Sequence, residues 1–258
     1  MGLAKGRRLP QSNAMARIRL DQLLVARGFA DSRARARDAI LRGHVAVAGR
    51  AVDKPGLTVD EDAELSMSDP AAAYVSRAAL KLIAGLDHFG FDVSGRDCLD
   101  VGASTGGFTE VMLQRGAARV AALDVGHGQL HPRLAGDRRV INIEGLNARD
   151  LKSTDLPFQP QVIVSDVSFI SLTLALPPAL ALAGRPAIGV FLVKPQFEAG
   201  RQAIGKGGLV DETTGRAAAD RIRDWLDGRD GWRVHDLIPS PILGGDGNHE
   251  YLLGASFD

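Results

Sequence analysis

Two short runs end in side chains suited to acting on an alcohol. Residues 188–193 are apolar apart from Gly189 and stop at Lys194-Pro195; an earlier run, residues 161–166, stops at Asp166. In an open α/β sheet, ligands bind outside the carboxyl ends of the strands. Both residues therefore fall at the edge where chemistry takes place. A lysine beside a carboxylate can orient a hydroxyl and, having given up its own proton, remove one from it. The same two residues would also serve as a structural ion pair, and spacing alone leaves both readings open. Cys98, the single cysteine, precedes Asp100 in an apolar run and reads as core rather than nucleophile. One cysteine also excludes an internal disulfide framework and a multi-cysteine zinc site. His127, His131 and His249 are not at metal-ligand spacing, so no metal is expected.

A second chemical feature is the stretch Asp100, Val101, Gly102, Ala103, Ser104, Thr105, Gly106, Gly107, Phe108, which follows one apolar run and opens a helical one. Its glycines let the backbone turn sharply and approach a ligand closely. The spacing is not the G-x-G-x-x-G dinucleotide pattern, and no Gly-Lys-Ser/Thr follows. An acidic residue at a strand end followed by G-x-x-x-G is the S-adenosylmethionine loop of Rossmann-like methyltransferases. The next run ends at Asp124, followed by Val125, where a carboxylate can accept both ribose hydroxyls of a nucleoside cofactor. Asn147 falls where an adenine contact is expected. Pyrimidine C5-methylation needs a cysteine nucleophile, which Cys98 does not supply. Amine-methylating enzymes carry Asp/Asn-Pro-Pro-aromatic after the fourth strand, whereas Ser165-Asp166-Val167-Ser168-Phe169 has no proline. An exocyclic amine acceptor is therefore disfavoured.

The elements that must position these residues can be read from the pattern. Strands are expected at 97–101, 119–124, 140–144, 161–166, 187–194, 232–238 and 250–255, and helices at 76–89, 107–115, 171–183 and 213–227. Alternation of this kind predicts a doubly wound α/β sheet, closed by an antiparallel hairpin because no long helix separates the last two strands. Ahead of it, Ile18, Leu20, Leu23 and Leu24 form a helical stripe, Ser32 can cap a second helix, and short strands follow near 45–47, 51–52, 57–59 and 64–66. The expected division is a non-native or disordered leader over 1–14, a small domain over 15–67, a linker over 68–75 and the sheet domain over 76–258.

Hydrophobic residues at 45% and charged residues at 24% are the proportions of a folded soluble chain. The net charge of zero conceals an asymmetry. The first fifty residues hold eleven Lys/Arg against three Asp, a net of +8, which leaves −8 on the rest. A basic N-terminal module on an acidic body suits a polyanion partner. Pro177, Pro178, Arg185 and Pro186 break the longest apolar stretch, so no spanning helix is expected. Lys5, Arg7 and Arg8 are followed by no long apolar segment, so no secretory signal is expected and the setting is cytoplasmic.

With these motifs in place, the chain resembles the TlyA, or hemolysin A, family, in which an N-terminal S4 RNA-binding domain precedes an FtsJ-like ribose 2′-O-methyltransferase domain. Arg19-Leu20-Asp21, Arg27-Gly28, Ser32-Arg33-Ala34 and Gly43-His44-Val45 carry the first part of the resemblance. Tyr74-Val75-Ser76-Arg77, Asp100 to Phe108, Asp124-Val125-Gly126, Asn147-Ala148-Arg149, Asp166 to Leu172, Lys194 to Glu198 and Gly247-Asn248-His249-Glu250 carry the second. The resemblance implies a Rossmann-like class I fold with a seven-stranded mixed sheet, helices on both faces, and a small α+β S4 domain. It implies S-adenosylmethionine as cofactor, and 2′-O-methylation of cytidine in ribosomal RNA or ribosomal subunits. It places a Lys-Asp-Lys-Glu tetrad on Lys81, Asp166, Lys194 and Glu250, with Lys194 activating the hydroxyl. Phosphate contacts are expected from Arg19, Arg27, Arg33, Arg35 and Arg37.

Three positions depart from the family pattern. Ala78-Ala79 stands where Gly-Gly is frequent, Val47-Ala48-Gly49 where Val-Asn-Gly is frequent, and Gly245-Asp246 where a lysine is frequent. The first two bear on local backbone geometry, the third on RNA contact. The Gly205-Lys206-Gly207-Gly208 loop suits either a phosphate contact or a surface turn. Two rivals to the enzyme reading are a non-catalytic ribosome assembly factor, disfavoured because all four tetrad positions are filled, and a membrane-active hemolysin, disfavoured by the broken apolar stretch.

Overall fold

The computed structural model describes residues 16–258; the leader expected over 1–14 lies outside them. The chain divides into two units between Ala72 and Ala73. The first holds β1 (Arg17–Arg19), α1 (Leu20–Ala26), α2 (Arg33–Leu41), β2 (Val45–Val47), β3 (Arg50–Val52), β4 (Thr58–Asp60) and β5 (Leu65–Met67). Leu20, Leu23, Leu24, Ala36, Ala39, Ile40, Val45 and Val59 make its core. Ser32 accepts the Arg35 amide and caps α2, as its sequence position suggests. Ile18 leaves the expected helical stripe: it lies on β1 opposite Val59 of β4, because α1 begins only at Leu20, whose amide donates to the Leu57 carbonyl. The remaining strands pair in the order β3-β2-β5.

The second unit contains α3 (Ala79–Phe89), β6 (Asp97–Val101), α4 (Gly107–Gln114), β7 (Arg119–Asp124), α5 (Pro132–Ala135), β8 (Val140–Glu144) and β9 (Val162–Ser165). Then come α6 (Leu172–Ala175), α7 (Pro177–Ala181), β10 (Ala187–Val193), α8 (Pro195–Glu198), α9 (Glu212–Asp227), β11 (Trp232–Pro239) and β12 (Tyr251–Phe257). The seven strands β6–β12 form one sheet in the order β11-β12-β10-β9-β6-β7-β8. All neighbours are parallel except β12, which runs antiparallel to both β10 and β11. The chain leaves β6 toward β7 and β8, then returns to β9 on the other side. The crevice at that reversal, between the ends of β6 and β9, is where this architecture binds ligands.

The apolar runs are continuous because central strands are covered on both faces. Leu99, Val101, Ile163, Phe191, Val193 and Leu253 enter one core. Cys98, Val162, Val164, Val190, Leu192 and Leu252 enter the other, following the two-residue period of a strand. The helix expected over 171–183 is instead two short helices. Pro177 and Pro178 open α7, and a proline lacks the amide hydrogen needed to continue the preceding turn. The helix expected from Ser76 starts at Ala79, after a turn in which the Ala79 amide donates to the Ser76 carbonyl. Ala78 takes ordinary right-handed angles, so this position does not require glycine. Among the described residues, no helix is long and apolar enough to cross a membrane.

Candidate active site

Asp100 sits between Leu99 and Val101 and points to the opposite face from them, under α4. Its Oδ2 accepts the Thr109 hydroxyl at 2.7 Å. Its Oδ1 is buried and has no partner. Burial pushes this carboxyl up to about 7, with Asp166 and Asp124 adding repulsion against the Thr109 hydrogen bond. Directly after β6, Gly102 has φ +85°, and a Cβ there would lie 2.9–3.1 Å from the side chain and backbone of Val167. Only glycine lets the ends of β6 and β9 approach so closely. Gly107 is confined less tightly, since a Cβ would lie 3.0 Å from Ser76 Cβ and 3.2 Å from the Ala79 amide nitrogen.

Asp124 closes the other side of the loop. Its Oδ2 accepts the Ser104 amide and its Oδ1 the Gly126 amide, both at 2.8 Å. Ser104 adopts φ +47° to make this contact, a left-handed conformation rare outside glycine and asparagine. A cleft of about 790 Å³ opens here. Gly102, Ser104, Asp124, Val125, Asn147 and Asp166 line it. Asp100, Ala103, Gly106, Gly107 and Phe108 are buried around the loop, Phe108 within the core under α4. The Thr105 carbonyl accepts the His131 amide. These residues shape the loop rather than line the cleft. Asn147 is turned back on its own chain, its Oδ1 accepting the Arg149 amide at 3.1 Å. The donor set fits S-adenosylmethionine. Asp124 is held by two amides with lone pairs left for a diol, Val125 and Leu146 offer apolar surface, and nearby carboxylates suit a cation.

The same edge carries two lysine–carboxylate pairs. Lys194 Nζ lies 2.7 Å from Asp166 Oδ1, a contact of charges without hydrogen-bond alignment, and donates to Ser168 Oγ at 2.7 Å. Lys81 reaches out of α3 to Glu250, with Nζ–Oε2 at 2.5 Å and both side chains buried. Strand register connects the pairs. Val193 on β10 stands opposite Tyr251 on β12, so Lys194 and Glu250, one residue beyond each, are cross-strand neighbours. Glu250 precedes β12 rather than beginning it. Asn248, buried beside it, ties two loops together: its Oδ1 accepts the Val210 amide and its Nδ2 donates to the Gly208 carbonyl. The Lys206 loop is thereby pinned to the segment before Glu250. Asp246 accepts Gln196 Nε2 at 3.1 Å.

In the N-terminal unit, four of the five arginines expected to meet phosphate have partners within the unit. Arg19 makes a two-pronged bond to the buried carboxylate of Asp21, and Arg33 adds a third contact. Arg19 leads in holding Asp21 down to about 2. Arg27 donates to the carbonyls of Glu61 and Ala63, and Arg35 to that of Ala71. Arg37 is exposed on α2.

Residue-type reasoning passed over several residues on the cleft. Phe169 is 90% exposed, sits at φ +66° and stands 5.2 Å from the Phe197 ring. Ser168, Gln129, Arg149 and Phe197 also line the cleft. The available signal for Phe169 was an aromatic in the turn after a strand end, outside any apolar run.

Comparison with known proteins agrees with this geometry. Residues 74–257 match the FtsJ-like methyltransferase model and residues 18–65 the S4 domain model. The chain is 44% identical over 242 residues to the 16S/23S rRNA (cytidine-2′-O)-methyltransferase TlyA of Mycobacterium tuberculosis, covering 92% of this chain and 89% of that protein. It is 40% identical to Hemolysin A of Brachyspira hyodysenteriae, covering 91% and 98%. A solved structure described as a hemolysin, from Streptococcus thermophilus, superposes with a TM-score of 0.72 at 39% identity, covering 95% of this chain and 90% of that one.

Proposed function

Since the chain belongs to the TlyA, or hemolysin A, family of FtsJ-like methyltransferases with an S4 domain, we propose that it methylates ribose 2′-hydroxyls of cytidine in ribosomal RNA. S-adenosylmethionine is the methyl donor, presenting an electrophilic methyl group on a sulfonium centre. Lys81, Asp166, Lys194 and Glu250 form the catalytic set. The observation that carries this reading is the cross-strand placement of Lys194 beside Glu250, with Asp166, which lines the cleft, against Lys194.

The roles follow from the contacts. Asp166 and Ser168, both on the cleft wall, hold the Lys194 amine beside it. Lys194 then takes the proton of the 2′-hydroxyl as the oxygen attacks, an assistance of about 10²–10⁴-fold. Lys81 neutralises Glu250 and fixes its carboxylate. The larger share of acceleration comes from alignment, since in-line displacement gains most from holding the reacting atoms in place. Phe169 offers an exposed ring on which an unstacked base can lie, as single-stranded RNA is commonly held. The S4 unit supplies phosphate contacts, and assembled subunits in the cytoplasm are the proposed substrate.

The test is methyl transfer from labelled S-adenosylmethionine to unmodified small and large ribosomal subunits, supplied separately. A 2′-O-methyl group blocks alkaline cleavage of the adjacent linkage. Label recovered in an alkali-resistant cytidine dinucleotide supports the reading. Label on a base, or none on either subunit while cofactor binds, contradicts it.

A further inference from the structure

Glu198 is a half-buried carboxylate that the mechanism above leaves unused. It closes α8, the single turn that begins directly after Lys194. Its Oε2 accepts the Ser171 hydroxyl at 2.5 Å and its Oε1 the Leu172 amide at 2.8 Å. Those partners sit at the far end of the turn 166–171, which begins with Asp166 and contains Ser168 and Phe169. At its near end the same turn is held by Lys194, through Asp166 and Ser168. One short segment of chain, residues 194–198, therefore grips both ends of one wall of the cleft.

We propose that Glu198 is a positioning residue for methyl transfer: by fixing the 166–171 turn through Ser171 and the Leu172 amide, it sets the distance at which Asp166 and Ser168 meet Lys194. The inference rests on the reading of Lys194 given above. A turn of six residues with a left-handed phenylalanine inside it does not hold its shape unaided, because that conformation is disfavoured for a bulky side chain. The clamp supplies the missing constraint. Asp124 and the Ser104 and Gly126 amides that hold it lie outside the 166–171 turn, so the carboxylate that takes the cofactor ribose keeps its place when the clamp is lost. Burial pushes the Glu198 carboxyl up, against the lowering pull of Ser171, the Leu172 amide and Arg221. The site thus tolerates a neutral group. A glutamine can accept the Leu172 amide and donate to Ser171 Oγ, preserving both contacts.

The experiment compares Glu198→Ala, Glu198→Gln, Ser171→Ala and Lys194→Ala in the full chain, measuring kcat on ribosomal subunits, S-adenosylmethionine Kd and thermal midpoint. Glu198→Ala is expected to lower kcat by about 10²-fold, the scale of an ångström misplacement, with cofactor Kd unchanged. Glu198→Gln is expected to restore kcat nearly to wild type, and Ser171→Ala, which removes one of the two contacts, to fall between. Three results overturn the proposal: a wild-type kcat in Glu198→Ala, a Glu198→Gln as slow as the alanine variant, or a parallel loss of cofactor binding and melting temperature. If Glu198→Ala fails to fold, Ser171→Ala decides by the same readout. A Lys194→Ala that transfers methyl groups at the wild-type rate removes the underlying reading of the site. An inactive Lys194→Ala beside a fully active Glu198→Ala removes this inference alone.

Discussion

Lys81 extends from α3 to meet Glu250, just ahead of the final strand, with 2.5 Å between Nζ and Oε2 and both side chains buried. Removing one partner leaves an uncompensated buried charge, at a cost of about 3–5 kcal/mol. Lys81→Met is therefore expected to lower unfolding free energy by that amount in urea. Combining it with Glu250→Leu removes the stranded charge and returns most of the loss, because an apolar pair of similar size tolerates burial. Methyl transfer should stay absent in both variants. Recovery of activity along with stability in the double variant contradicts the catalytic role.

Asp100 provides a pH-dependent test. Its folded-state value of about 7 lies above the ordinary 3.8, so the folded state favours the protonated form. Its contribution to stability is fully present below the unfolded value and is lost as pH rises through about 7. Asp100→Asn keeps an acceptor for Thr109 and loses the titration. Its stability relative to wild type, measured by urea unfolding without cofactor, should rise between pH 4 and pH 8 and then level off. A difference that does not change with pH contradicts the burial argument.

Much of this arrangement was legible in the sequence, for physical reasons that differ by element. β6 and β7 occur where the apolar runs place them, because strands inside the sheet are covered on both faces, while the edge strand β8 keeps its exposed Asn142 between Ile141 and Ile143. The apolar composition of 171–183 points to one helix, and the missing amides of Pro177 and Pro178 split it in two. Ile18 fits the helical stripe by spacing alone, because a three-residue strand running straight into a helix shows no period of its own. Lys194 and Asp166 could be picked out from strand ends alone. Lys81 and Glu250, separated by 169 positions, were reached only through family resemblance, since nothing local marks a helix lysine as the partner of a distant carboxylate. Phe169 went unread because exposure is a property of the fold. A sequence does not reveal that Asp21, Glu61, Ala63 and Ala71 accept from Arg19, Arg33, Arg27 and Arg35.

Those arginines should separate in experiment. Arg37 is exposed on α2, so Arg37→Ala is expected to weaken binding to ribosomal RNA and reduce the salt slope by about one, the signature of a single lost phosphate contact. Arg27 supports two carbonyls, so Arg27→Ala should lower the melting temperature of the N-terminal unit. Filter binding across a salt series, with thermal melts of both variants, checks the distinction. Equal salt slopes for wild type and Arg37→Ala contradict it.

The β2–β3 turn offers a stabilising change. Ala48 and Gly49 hold φ of +47° and +73° between strands paired in antiparallel register, a turn that favours Asn-Gly. Left-handed alanine costs about 1–2 kcal/mol. Ala48→Asn is expected to raise unfolding free energy by about 1 kcal/mol without altering methyl transfer. No gain in the chemical melt contradicts the strain at Ala48.

The most direct test concerns Lys194. Wild type and Lys194→Ala are given labelled S-adenosylmethionine and unmodified ribosomal subunits, and cofactor binding is titrated in parallel. Abolished transfer with cofactor affinity intact is the outcome expected of a lysine that acts on the ribose hydroxyl and leaves the cofactor cleft alone. Transfer at the wild-type rate, or loss of cofactor binding together with activity, contradicts that role.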